Sequence, residues 1–133
     1  MAKKNIEIRL IADEENISNN VSALVNGNII RYIEDNVSVT IKKSNDYITM
    51  IRENNEYRLT LKFNKNRKEI GKYLLKDNNM LLNLEILTKE LIIDKNKIYI
   101  LYELNEEYRE FELSIKEWFY DSEVRENYYY DSK

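Results

Sequence analysis

Residues 80–118 read MLLNLEILTKELIIDKNKIYILYELNEEYREFELSIKEW, and the order of apolar and polar positions in this stretch decides the fold. Short runs rich in Ile, Leu and Tyr are separated by tight polar punctuation at Asp94-Lys95-Asn96-Lys97 and at Asn105-Glu106-Glu107, the pattern of an antiparallel meander. From Tyr108 to Trp118 the residues alternate. Phe111, Leu113 and Ile115 fall on one face, and Glu110, Glu112, Ser114 and Lys116 on the other. A period of two belongs to a strand with one wet face. The pattern specifies a closed or nearly closed sheet and no particular chemistry.

Working outward, the same alternation recurs upstream. Asn5 to Ala12 sets Ile6, Ile8 and Leu10 against Glu7 and Arg9, and Ile17 to Val25 is a less regular strand. Asn26-Gly27-Asn28 supplies residues that tolerate positive φ, so a hairpin into Ile29–Glu34 is expected. Asp35-Asn36, Ser44-Asn45-Asp46 and Glu53-Asn54-Asn55-Glu56 are further turns, separating strands over Val37–Lys42, Tyr47–Arg52 and Tyr57–Phe63. Asn64–Lys68 is a basic loop, Ile70–Leu75 a short strand, and Asp77-Asn78-Asn79 the turn into the meander. The count is about ten strands. Turn signals every eight to twelve residues, with no long helical period, mean an all-β barrel or sandwich.

The chain has 133 residues, enough for one domain with a substantial core. A barrel domain over residues 1–120 and a polar, Tyr-rich tail over residues 121–133 are expected. Trp118, Phe119 and Tyr128-Tyr129-Tyr130 either belong to a loosely docked tail or lie against the barrel and cover its open end. There is no Cys and no His, so disulfides, Ser-His-Asp or Cys-His catalysis and His/Cys zinc sites are excluded. There is no glycine-rich phosphate loop either. A non-enzyme without a cofactor is the expectation. The charged start, Met1 to Glu7, and the lack of a long apolar run predict a cytoplasmic protein with no membrane partner. A net charge of −3 argues against a general nucleic-acid binder, although a local basic patch remains compatible with it.

From about Ile29 onward the spacing resembles the YwiB-like family, a bacterial domain of unknown function. The resemblance rests on Tyr32-Ile33-Glu34, Thr40, Ile48-Thr49-Met50-Ile51-Arg52, Leu61-Lys62-Phe63, Gly71-Lys72-Tyr73, Leu84-Glu85-Ile86-Leu87-Thr88 and Ile98 to Leu104, taken in order. It implies a lipocalin-like (calycin) antiparallel β-barrel of about eight to ten strands. The family usually has Gly after the position of Arg52 and in the turn that here reads Asp77-Asn78-Asn79; Asn can supply the left-handed conformation. The resemblance brings no catalytic residues with it.

Candidate binding residues follow from strand parity. Ile30, Tyr32 and Glu34 share one face, and Ile48, Met50 and Arg52 share another. If both faces point inward, Glu34 and Arg52 form a charged pair inside an apolar barrel, joined by Thr40, Tyr73, Thr88 and Tyr102. Such a pair must bond to itself or to a ligand, because an unpartnered buried charge costs several kcal/mol. The ligand reading is a small amphipathic molecule. Its polar end meets Arg52 and Tyr102, and its apolar part lies against Leu61, Phe63, Leu84, Ile86 and Ile100. The plain alternative leaves Glu34 and Arg52 solvated at strand ends and the tyrosines packing the core.

A second candidate is a nucleic-acid surface formed by Lys65, Arg67, Lys68 and Lys72, with Tyr57, Phe63 and Tyr73 near them. A solvated strand edge would read the same way. The acidic stretch Glu103, Glu106, Glu107, Glu110, Glu112 and Glu117 fits a basic partner, a homo-oligomer or a wet outer face. Function thus divides between small-molecule binding inside the barrel and a protein- or RNA-interaction module on the outside of a filled one.

Overall fold

The computed structural model describes residues 2–116, and all of its regular elements are strands. They are β1 (Ala2–Ala12), β2 (Glu15–Asn26), β3 (Ile29–Glu34), β4 (Val37–Lys43), β5 (Tyr47–Glu53), β6 (Tyr57–Asn64), β7 (Glu69–Leu75), β8 (Met80–Ile93), β9 (Lys97–Leu104) and β10 (Glu107–Lys116). Each strand pairs antiparallel with its neighbour in sequence, and β10 pairs with β1 to close the barrel. The chain is therefore a meander throughout, which a single sequence of tight turns can build. The expected tail contacts of Trp118, Phe119 and Tyr128–Tyr130, and the expected boundary at residue 120, lie outside the described residues.

The turns form where side chains permit positive φ. Asp13, Asp35, Asn36, Asn79, Asn105 and Glu106 adopt it, and so does Gly27. Five of the six non-glycine positions are Asp or Asn, whose short polar side chains tolerate the left-handed region. Asn79 takes the place of the glycine that the resemblance leads one to expect.

Alternation puts Ile6, Ile30, Val39, Ile41, Ile48, Phe63, Ile86, Ile98, Ile100 and Leu113 inside, all essentially inaccessible. Among the described residues periodicity breaks once, at a bulge between Thr88 and Glu90 in β8. The extra residue restores inward direction to Leu91 and Ile93, which pack on the core. Without it the second half of this 14-residue strand would turn its apolar face to water.

Two ends are distinct. At one end the hairpins β1–β2, β3–β4, β5–β6, β7–β8 and β9–β10 surround a mouth; the remaining turns lie at the other. The wall also has a seam. β2 pairs with β3 only from Ala23↔Tyr32 to Asn26↔Ile29, so among the described residues Glu15–Ser22 has a strand neighbour on the β1 side alone. Gly71 serves a close approach of another kind. A methyl group there would meet the Thr60 carbonyl oxygen and Leu61 Cδ2 at 3.0 Å and Ile86 Cδ1 at 3.1 Å. No helix among the described residues is long and apolar enough to cross a membrane.

Candidate functional site

Glu34 ends β3 and Arg52 lies near the end of β5, both on the inward parity. The strand between them presents Val37 and Val39 inward, so the two charged side chains reach toward each other over an apolar floor. Arg52 Nη1 stands 3.5 Å from Glu34 Oε1, with side chains 28% and 14% exposed. Glu34 is held more tightly from the other side, where Asn19 Nδ2 donates to Oε2 at 2.6 Å. That bond spans the seam. Where the β2–β3 backbone ladder has stopped, a side-chain bridge ties the two walls together.

Above this bridge the barrel interior holds a cavity of about 310 Å³. Ile8, Leu10, Met50, Leu59, Leu61 and Phe111 form much of its apolar wall, while Asn19, Glu34, Asp35, Arg52, Tyr102 and Arg109 bring polar atoms to it. Arg109 faces Tyr102 across the β9–β10 pair and shares inward parity with Phe111. Its Nη2 donates to Glu107 Oε1 at 3.1 Å, and that glutamate is 61% exposed. Tyr102 is fixed by an edge-on contact with Phe63, ring centres 4.7 Å apart. Burial raises the Tyr102 hydroxyl pKa, against the opposing pull of Arg109 and Arg52.

Of the seven candidate binding residues, the cavity brings together Glu34, Arg52 and Tyr102. Tyr32 is buried one pair below, its hydroxyl without a partner among the described residues and its pKa raised by desolvation and by Glu34. Thr88 faces inward beside the bulge, likewise buried and without a partner among the described residues, but stands outside the cavity wall. Tyr73 is half-buried and packs edge-on against Tyr57 at 5.5 Å. Thr40 is a correction. Its neighbours Val39 and Ile41 both point into the core, so alternation turns Thr40 to the outer face. The apolar set is also corrected, since Phe63, Ile86 and Ile100 belong to the filled core and only Leu61 of that group lines the cavity.

Sequence reasoning missed Asn19 and Arg109. Arg109 was recoverable, because the alternation of Phe111, Leu113 and Ile115 extends back to it. Asn19 was not, since its role depends on where β2 and β3 part.

The basic stretch is locally compensated. Lys65 pairs with Glu90 at 3.3 Å, Arg67 with Glu69 at 2.8 Å and Lys68 with Glu85 at 3.7 Å, while Lys72 donates to Asn83 Oδ1 at 2.9 Å. A phosphate would have to displace these partners. The acidic stretch is engaged in the same way: Glu112 meets Arg9 and Lys97, Glu103 meets Lys89, and Glu110 accepts a short bond from Tyr99.

A profile of a domain of unknown function (DUF1934) matches residues 4–115, which spans every strand of the barrel. The chain belongs to the DUF1934 family. The crystal structure of the YwiB protein from Bacillus subtilis superimposes with a TM-score of 0.61 at 16% identity, over 88% of this chain and 91% of that one. At that identity the likeness concerns the fold, and it agrees with the YwiB-like resemblance and the ten-stranded closed barrel. No curated protein matches this DUF1934 chain.

Proposed function

We propose that this DUF1934 barrel binds, without catalysis, a small amphipathic anion in the cavity at its mouth. The observation that carries the reading is the convergence of two guanidinium groups, Arg52 and Arg109, with Tyr102 on one apolar cavity of about 310 Å³. That volume corresponds to about ten water molecules at ~30 Å³ each, so a ligand of about ten heavy atoms fits.

The case for an anion rests on the freedom of the two guanidinium groups, which share the cavity lining with the carboxylates of Glu34 and Asp35. Glu34 is satisfied by Asn19 at 2.6 Å, whereas its contact with Arg52 is long at 3.5 Å, beyond the usual hydrogen-bond range. Arg52 can turn its planar fork to a ligand carboxylate with little loss to Glu34. Among the described residues Arg109 is tied only to an exposed glutamate, a pair of small worth in water. The apolar wall then takes the ligand body. The absence of His and Cys is in keeping with binding over nucleophilic or zinc chemistry.

The alternative is an interaction module on the outer surface of a filled barrel. The cavity weighs against it, and so does the pairing of Lys65, Arg67 and Lys68, which weakens its RNA form. Native mass spectrometry of gently purified protein tests the two. A stoichiometric excess mass that disappears on denaturation is expected, together with saturable octanoate binding that Arg52→Met weakens at least tenfold. A bare mass with no saturable octanoate binding would refute the proposal.

A further inference from the structure

Along Glu15–Ser22 the β3-facing edge of β2 has no strand beside it among the described residues. The segment holds no Lys and no Pro, and its pairing to β1 runs without a bulge, so it lacks the usual devices that stop an edge from adding another strand. Its two ends differ in charge. At the mouth end Asp13, Glu14 and Glu15 are exposed carboxylates on the β1–β2 turn. At the other end an outer groove of about 490 Å³ opens where β2 and β3 separate. Lys3 and Arg31 flank Leu24 there in register, all three on the outward parity, with Ser22 and Ile33 beside them. Its lining holds no carboxylate among the described residues. None of Lys3, Arg31, Asp13, Glu14 and Glu15 enters an ion pair among the described residues.

We infer that this edge of β2 pairs antiparallel with the same edge of a second copy, in a two-fold dimer that seats the acidic turn of each chain in the basic groove of the other. Directly opposed residues of an antiparallel pair share a face of the sheet. Ala23 is buried, so Asn16, Ser18, Asn20, Ser22 and Leu24 carry the outward parity of β2. A pairing centred on Ser18 opposes Asn16 to Asn20 and sets Glu14 level with Ser22 on that outer face. From Ser22 to the row of Lys3, Leu24 and Arg31 is two residues, about 7 Å at ~3.4 Å each, within reach of extended Lys and Arg side chains.

Charge complementarity selects a second copy as the occupant. Acid and base stand at opposite ends of one edge, so a single two-fold axis satisfies both and makes each contact twice. The added strand supplies the backbone partners that the edge lacks. It also covers exposed apolar side chains, since Ile17 is 48%, Leu24 46% and Ile33 69% accessible. The paired segment is short and polar, about 20 Å for six residues at ~3.4 Å each, so a dimer that dissociates on dilution is expected. Glu14, Ser18 and Arg31 stand outside the cavity lining, so this inference goes beyond the cavity reading and does not depend on it.

Sedimentation velocity of the full chain over a concentration series tests the dimer. The weight-average mass should rise with concentration toward twice that of the chain. Glu14→Arg and Arg31→Glu, both at exposed positions, should each weaken association by about tenfold or more while far-ultraviolet circular dichroism stays constant. An equimolar mixture of the two variants should recover the parent's association, because in the mixed pair one contact is the parent's and the other has both charges reversed. Ser18→Lys should abolish the dimer by setting like charges against each other at the axis. Lys72→Glu on the opposite wall, also exposed, should leave association unchanged. A single-chain mass at every concentration would overturn the inference. So would a dimer that both Glu14→Arg and Arg31→Glu leave intact, or a mixture that associates no better than the separate variants.

Discussion

Glu34 and Arg52 are a test of whether the charged mouth of the barrel is one coupled unit. At 3.5 Å, two unit charges attract by about 1 kcal/mol at the dielectric constant of water and by about 5 kcal/mol at an effective value of 20. Desolvation of two partly buried groups offsets much of the larger figure, which leaves an expected coupling of ~1–2 kcal/mol. The single substitutions should be unequal. Glu34→Ala removes the partner of both Asn19 and Arg52 and leaves a half-buried amide donor unmatched, a cost of ~1–2 kcal/mol. Arg52→Ala leaves Glu34 still bonded to Asn19, and because Arg52 is 28% exposed the cost is nearer ~1 kcal/mol. Urea unfolding of the parent, both single variants and the double variant, followed by circular dichroism, closes the cycle. Single effects that add within about 0.5 kcal/mol would mean no coupling. An Arg52→Ala cost larger than that of Glu34→Ala would overturn the assignment of Asn19 as the stronger tie.

Gly71→Ala should destabilise the barrel by ~1–3 kcal/mol in the same assay, because the new methyl group meets a backbone oxygen that cannot move aside cheaply. Glu112 is held below its ordinary carboxylate pKa by hydrogen bonds from Lys97 and Arg9. A depressed folded pKa contributes stability that is present above the unfolded value of 4.5 and is lost as pH falls through the lower folded one. Glu112→Gln should therefore flatten the acid limb of the stability–pH curve, by less than ~1 kcal/mol given how exposed both cations are. Tyr99 is pushed up to about 12 by its hydrogen bond to Glu110. An NMR titration should show it ionising well after an ordinary tyrosine, and Glu110→Gln should return it toward 10.

The legibility of this chain follows from its topology. Every strand pairs with its sequence neighbour, so each strand pairing except the β1–β10 closure is set by a local turn and by alternation. Asp35-Asn36 shows how directly this works: two residues that accept positive φ fix the β3–β4 register, and that register carries Glu34 inward. Arg52 was legible for the same reason. Thr40 was misplaced because a β-branched residue of middling polarity suits either face, and only its buried neighbours Val39 and Ile41 decide between them. Sequence by itself determined the ten strands, their order and most of their inward faces, because period two and turn chemistry act over a few residues. Tertiary structure alone decided where β2 leaves β3, which pairs Asn19 with Glu34 and opens the groove beside Ile33, and where the core stops and the cavity begins. Those features depend on how far each ladder runs before the closing barrel pulls two strands apart, and on the summed volume of side chains from distant strands. No local pattern encodes either.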